Sequence, residues 1–260
     1  MNIDNISTQL LFTTFPIWVE REKGQNSFGT GFIFNYKAGE DKFIPFLITN
    51  NHVIDNATRI ITEFVTAVDG KPNTKEKVKV ELDVNKFRSF SNKELDISAI
   101  PIAPIINQLI ESGKNIFYRV IDSNIIATKE QLDEFSAVEE ITFIGYPNGL
   151  YDTENMLPIV RRGITATPIW NDFNNKKKFL IDAGVYPGSS GSPVFIFNQG
   201  SYSSGNGINI GTRLLFIGML SDSVVRLENN VPSYYLGLGG VIKSEALVDF
   251  LESVVKTIKI

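Results

Sequence analysis

Short apolar runs, each cut off by Gly, Asn, Asp or Pro, recur along the whole chain and leave room for little but a β-rich fold. They fall at residues 17–19, 31–34, 43–49, 78–82 and 97–102 in the first half, and at 141–145, 159–168, 178–181, 193–197, 213–220 and 234–242 in the second. The run at 43–49 is nearly continuous and predicts a strand buried on both faces. Residues 78–82 alternate apolar and polar, the mark of a half-buried strand. Such a series with few helices predicts a β-sandwich or barrel. Two segments break the pattern. Residues 128–140 are rich in charge and poor in apolar side chains, which predicts a surface linker. From Ser244 onward, Leu247, Phe250, Leu251, Val254, Val255 and Ile258 recur at spacings of three and four, which predicts an amphipathic helix. Ser244 is the expected N-cap, and Glu245 falls in the first turn, where the helix dipole favours it.

Composition removes several kinds of chemistry. The 260 residues include no cysteine, so disulfides, thiolate metal sites and a cysteine nucleophile are excluded and core packing must hold the fold. The one histidine, His52, must serve any mechanism that needs an imidazole base, and a metal site built on two histidines is impossible. The net charge of -4 and the absence of a long basic stripe argue against a nucleic-acid partner; Lys176-Lys177-Lys178 reads as a solvated hairpin loop. No apolar run approaches the length of a membrane span. The N-terminus lacks the basic, apolar and small-residue pattern of a signal peptide, so a cytoplasmic location is expected.

Three short segments carry residues suited to chemistry. Glycines flank the serines of Gly188-Ser189-Ser190-Gly191-Ser192-Pro193, which permits a tight turn that exposes a hydroxyl and points backbone N–H groups at one spot. A plain hairpin loop has the same composition. Leu47-Ile48-Thr49-Asn50-Asn51-His52 is a buried strand that ends in polar residues and delivers an imidazole, the group best suited to move protons near neutral pH. Asp96 opens an apolar strand, where a histidine N–H is a suitable donor to its carboxylate. A nucleophile, a base and an orienting acid together mean more than any one of them. Their chain order, His, Asp, Ser, is that of chymotrypsin-type enzymes; subtilisins and α/β-hydrolases use other orders.

The chain resembles trypsin-like serine peptidases, most closely the protease domain of the HtrA/Deg family. Phe28-Gly29-Thr30-Gly31-Phe32-Ile33, Ile48-Thr49-Asn50-Asn51-His52-Val53-Ile54, Leu95-Asp96-Ile97-Ser98-Ala99-Ile100 and the serine turn at 188–193 are similar to that family's motifs. Gly145-Tyr146-Pro147 and Gly237-Leu238-Gly239-Gly240-Val241-Ile242 follow in matching order. The resemblance covers residues 10–255. It implies two antiparallel six-stranded β-barrels with a C-terminal helix: residues 1–127 with His52 and Asp96, a linker at 128–140, residues 141–243 with Ser190, and the helix at 244–260, in one catalytic unit. It implies His52, Asp96 and Ser190 as catalytic triad, with Ser190 as nucleophile, and an oxyanion hole made by the N–H groups of Gly188 and Ser190. Ser221 is then a partner for Asp96.

The same match puts Gly184 at the base of the primary substrate pocket, with Val185, Ser221 and residues 237–240, Gly239 among them, as walls. An uncharged base implies a small or medium apolar substrate side chain, with Asp222 adding a polar preference nearby. Two departures stand out. Ser189 replaces the aspartate that binds a newly cut N-terminus in digestive trypsins, so activation by that ion pair is not expected. Ser192 replaces a glycine. No PDZ domain is expected after the helix, and a compact bacterial effector fits this outline. The expected activity is endopeptidase cleavage of a protein or peptide through an acyl-enzyme, with no metal and no cofactor. Two alternatives remain at this level: a latent protease that needs an activating partner protein, and an inactive protease-like module that binds peptides.

Overall fold

The computed structural model describes residues 2–24, 26–83, 90–204, 207–228 and 231–258, with side chains at all of these except residues 23, 204, 225–228 and 231–235. The first half holds β1 (Thr14–Arg21), β2 (Ser27–Lys37), β3 (Phe43–Thr49), β4 (Ala57–Val68), β5 (Lys71–Leu82), β6 (Ser91–Asn92), β7 (Ile97–Pro101), β8 (Ile116–Phe117) and β9 (Ile121–Asp122). These make a nine-stranded sheet whose main path is β5-β4-β1-β2-β3-β7-β6, with β8 on β4 and β9 on β2. The second half holds β10 (Glu140–Gly145), β11 (Ile159–Thr165), β12 (Lys178–Asp182), β13 (Pro193–Asn198), a hairpin of β14 (Ser201–Ser204) and β15 (Gly207–Ile210), and the long pair β16 (Arg213–Glu228) and β17 (Val231–Lys243). Strands β10-β11-β12-β17-β16-β13 close into a six-stranded antiparallel barrel, which leaves that sheet without an edge.

The mostly-β architecture expected from the apolar runs is therefore present, and the C-terminal barrel has the expected six strands. The N-terminal half differs in detail: it carries nine strands, and β9 joins β2 in parallel. Strands β6, β8 and β9 are two residues each, too short to leave any periodic trace in a sequence.

Local chemistry explains the clearest elements. In β5 the side chains of Val78, Val80 and Leu82 are buried and the residues between them are exposed. Asp69 and Gly70 join β4 to β5 at φ 49° and 71°, the two left-handed residues that a tight hairpin with the right twist needs. Among the described residues, five α-helices accompany the strands: α1 (Ile6–Leu10), α2 (Asn51–Ile54), α3 (Ala103–Glu111), α4 (Lys129–Asp133) and α5 (Ser244–Thr257). Helix α4 lies within the segment expected to be a linker and carries a capping box between Thr128 and Gln131. In α5 the stripe Leu247, Phe250, Leu251 and Val254 is buried. Its N-cap is Lys243 rather than Ser244, because Lys243 is still extended and paired with Gly218 in the barrel when the helix begins.

Among the described residues, a small apolar cluster of Phe12, Val65 and Phe117 accompanies three larger cores. Ile17, Ile33, Leu47, Phe64 and Ile100 fill the first half, and Phe143, Phe179, Ile181, Val194 and Ile217 fill the barrel. The third core joins the halves: Phe32, Phe34 and Phe46 from the first sheet meet Phe195, Phe216 and Met219 from the barrel, under Leu247 and Leu251 of α5. Phe216 sits at its centre, with ring centroids 5.5 Å from Phe32, 5.9 Å from Phe34 and 5.8 Å from Phe195. Phe216→Ala is expected to cost about 3–5 kcal/mol, because the cavity opens between two sheets that cannot both move in to fill it. Urea denaturation checks this; a loss under about 1 kcal/mol would show that this junction does not hold the halves together.

Candidate active site

His52 lies in α2, the single turn that follows β3, and Asp96 lies immediately before β7. Strands β3 and β7 are paired, with Thr49 opposite Ser98, so the two residues are neighbours by sheet register. Asp96 adopts φ 59°, a left-handed conformation that an aspartate tolerates better than most residues. The histidine turn holds it there. The Asp96 carbonyl accepts from Asn50 Nδ2 at 2.9 Å and from the Asn51 N–H at 3.2 Å. Its carboxylate accepts from the His52 N–H at 2.9 Å through Oδ1 and contacts His52 Nδ1 at 2.8 Å through Oδ2. Arg21 secures the far side of the turn, donating to the carbonyls of His52 at 3.2 Å, Val53 at 2.8 Å and Asp55 at 2.8 Å.

The Asp96 carboxylate is mostly buried, with 19% of its side chain exposed, whereas the His52 side chain is 50% exposed. Burial pushes the Asp96 carboxyl upward, but the ring hydrogen bond and charge of His52, its backbone N–H and the Ser221 hydroxyl outweigh this and hold the group below its usual range. Ser221 Oγ donates to Asp96 Oδ2 at 2.8 Å. Lys178 Nζ in turn donates to Ser221 Oγ at 3.0 Å and to Asp222 Oδ2 at 3.1 Å. Lys178 is thus not part of a solvated loop: it is the first residue of β12, with 20% of its side chain exposed.

The serine turn lies between β12 and β13. Its three hydroxyls differ in environment: those of Ser189 and Ser192, residues 1% and 0% exposed, have no hydrogen-bond partner among the described residues, while Ser190 is partly exposed. Ser190 Oγ donates to the Ser221 carbonyl at 2.9 Å. The backbone N–H groups of Gly188 and Ser190 donate to no described residue. Thr30 of β2 fixes the turn from the other half: its N–H donates to the Ser190 carbonyl at 2.9 Å, and its Oγ1 donates to the Gly188 carbonyl at 3.0 Å. Gly191, at φ 89°, passes so close that a Cβ would stand 1.9 Å from the Thr30 carbonyl oxygen. Any side chain there would push the turn off β2.

The residues expected around a substrate pocket are also neighbours. The Gly184 N–H donates to the Gly237 carbonyl at 2.9 Å, and Val185 packs over Gly239, where a Cβ would meet Val185 Cγ2 at 2.4 Å. Asp222 is exposed and paired with Lys178. Arg161 of β11 stands beside Gly184, with Nη2 3.0 Å from where a Cβ of that residue would lie. Sequence reasoning singled out neither Arg161, Lys178 nor Thr30 for a role at the site, because each reaches it from a separate strand. Among the described residues no group of three His, Asp or Glu side chains gathers as a metal site, and no helix is long and apolar enough to cross a membrane. Thr30→Val keeps the shape of Thr30 and removes its hydroxyl, leaving the Gly188 carbonyl and the Tyr146 N–H without a buried partner. It is expected to cost about 1–3 kcal/mol in chemical denaturation; an unchanged midpoint would show that the turn does not depend on that hydroxyl.

The comparisons agree with this architecture. No curated protein sequence matches the chain significantly. Solved structures that share the fold across 99% of the chain, at 15% identity, include an HtrA-type protease, AlgW, with a tripeptide, at a TM-score of 0.55, and a serine endoprotease from Yersinia pestis, at 0.54. The chain spans 64% of the length of the first and 68% of the second. The sequence profile of the trypsin-like peptidase domain matches residues 29–201, from the strand that carries Thr30 through the serine turn, and the chain belongs to that family.

Proposed function

We propose that this protein is a serine endopeptidase in which Ser190 is the nucleophile, His52 the general base and acid, and Asp96 the group that orients and charges the imidazole. One observation carries the reading: Ser190 and Asp96 meet on a single residue, Ser221, whose carbonyl accepts from Ser190 Oγ and whose hydroxyl donates to Asp96. Asp96 in turn holds His52 by ring and backbone. With Nδ1–H committed to the carboxylate, neutral His52 presents Nε2 as the acceptor.

For reaction the Ser190 hydroxyl turns from the Ser221 carbonyl to His52 Nε2, a side-chain rotation that is fast at an accessible position. Ser190 Oγ then attacks the peptide carbonyl carbon as its proton passes to Nε2. The negative oxygen of the tetrahedral intermediate accepts from the N–H groups of Gly188 and Ser190, which have no other described acceptor. The C–N bond breaks as His52 gives the proton to the leaving amine. Water, deprotonated by His52, cleaves the resulting ester by the same route in reverse. Asp96 stays ionised throughout. Residues 1–127 supply the base and acid and 141–243 the nucleophile, with 128–140 between them and helix α5 (Ser244–Thr257) buttressing the junction, so the two parts act as one catalytic unit. Val185 over Gly239 favours a small or medium apolar substrate side chain, and the Arg161 cation beside Gly184 disfavours a basic one.

A fluorophosphonate tests the assignment: Ser190 Oγ–P forms, P–F breaks, and hydrogen fluoride is lost. Intact mass should show one adduct on the wild type and none on Ser190→Ala. Folded wild type that takes up no adduct would overturn constitutive activity. It would favour a second reading, a latent enzyme whose partner turns Ser190 off the Ser221 carbonyl, or a peptide-binding module without activity. Asp96→Asn should slow labelling about 10⁴-fold while the chain stays folded, because the amide supports the wrong imidazole tautomer. The labelling rate should rise with pH in a single step. The carboxylate of Asp96, held below its usual range, is already ionised where His52 loses its proton. A second acid step in the rate profile would show Asp96 titrating together with His52.

A further inference from the structure

We propose that Lys178 is a positioning residue of this site, fixing the direction of the Ser221 hydroxyl and thereby the basicity of His52; this rests on the triad reading above. The argument is one of donors and acceptors. An ammonium only donates, a carboxylate only accepts, and a hydroxyl has one proton to give. Ser221 Oγ stands between the two, 3.0 Å from Lys178 Nζ and 2.8 Å from Asp96 Oδ2. Since it accepts from Lys178, its proton has one place to go, the Asp96 carboxylate. The chain Lys178–Ser221–Asp96–His52 therefore runs in one direction, with no alternative pattern of the same number of bonds.

The fold is arranged to bring this lysine in. Lys178 lies on β12 opposite Ile242 of β17, and Ser221 lies on β16, so the ammonium crosses a strand to reach it. Gly240 of β17 makes room at the crossing, since a Cβ there would stand 2.1 Å from Asp222 Oδ1, the carboxylate that shares the ammonium. A simple surface ion pair between Lys178 and Asp222 would be weak, because the Asp222 side chain is 58% exposed. What sets Lys178 apart is its second bond, to a buried hydroxyl that already serves Asp96.

The sign of the effect follows. Without Lys178 the Ser221 hydroxyl is free to turn from Asp96, and the carboxylate attracts the imidazolium more strongly. The loss of a nearby positive charge acts in the same direction. Both stabilise protonated His52, so its titration moves to higher pH. Among the described residues, the other charges around His52 are Arg21, bound to its carbonyl, and Asp55, paired with Lys93 at 3.5 Å. None of these touches Lys178.

His52 is the one histidine in the chain, so its ring resonances can be followed by NMR without assignment, whether or not Ser190 reacts. In Lys178→Met the His52 titration midpoint should rise by about 0.5 pH unit, and fluorophosphonate labelling on the acid side of that midpoint should fall about threefold. Lys178→Arg, which keeps charge and donors, should return both toward wild type. Ser221→Ala should raise the midpoint alone, and adding Lys178→Met to it should give less than the sum, because the two act through one bond. An unchanged or lowered midpoint in folded Lys178→Met overturns the proposal. If that variant does not fold, Lys178→Gln is held to the same criterion. A wild type that titrates as expected but takes no label would count against the peptidase reading and leave the role of Lys178 in place.

Discussion

Everything at this site depends on how Thr30 joins the two halves. Thr30 is fully buried and uses every polar atom it has. Its N–H and hydroxyl hold the carbonyls of Ser190 and Gly188, its hydroxyl accepts from the Tyr146 N–H at 3.1 Å, and its carbonyl accepts from Thr49 Oγ1 at 2.8 Å. Thr49 lies at the end of the strand that delivers His52. One residue, through its backbone and its hydroxyl together, therefore ties the histidine strand of the first sheet to the serine turn beside the barrel. Two separate sheets cannot hold an imidazole and a hydroxyl to within a fraction of an ångström unless something fixes their relative position. Here buried hydrogen bonds do so, and each would be costly to leave unmade. The Phe216 cluster supplies the bulk of the cohesion, but apolar contacts are not directional and cannot set the register of a turn.

Asp96 makes a similar bargain on the first sheet. Its left-handed backbone and buried carboxylate are both unfavourable alone. Donors from Asn50, Asn51, His52 and Ser221 surround it and make the arrangement stable as a group. In the proposed mechanism, a carboxylate kept ionised by its neighbours can stabilise an imidazolium without taking its proton. The serine side is looser. Ser190 donates its proton to the Ser221 carbonyl, so Ser221 supports Asp96 through its hydroxyl and holds Ser190 through its carbonyl.

Much of this was legible in the residues. Alternation in residues 78–82 marked a half-buried strand, and the three-and-four spacing from Leu247 marked α5. The single histidine, the glycine-flanked serines and the aspartate at a strand start named the candidate site because few other residues could carry that chemistry. What the residues did not reveal has identifiable causes. Two-residue strands leave no period, so the nine-stranded first sheet was not foreseen. Helix α3 was missed because its apolar positions follow directly on those of β7. Lys178 was read with its neighbours as a solvated run because β12 begins at Lys178 directly after two loop lysines, and three identical residues give no sign of where the strand starts.

The sequence by itself therefore determined the class of fold, the family, and the identity of the groups able to do chemistry, since these depend on residue types and on spacings within one element. Tertiary structure decided which of those groups meet. The contacts between Thr30 and Ser190, between Ser221 and Asp96, and between Lys178 and Ser221 join residues far apart in the chain. They are set by strand register, by the crossing of β17 and by the packing of two sheets on one aromatic cluster. None of these is a local property of the chain, because hydrogen-bond geometry across strands is fixed only when the sheets have closed and packed.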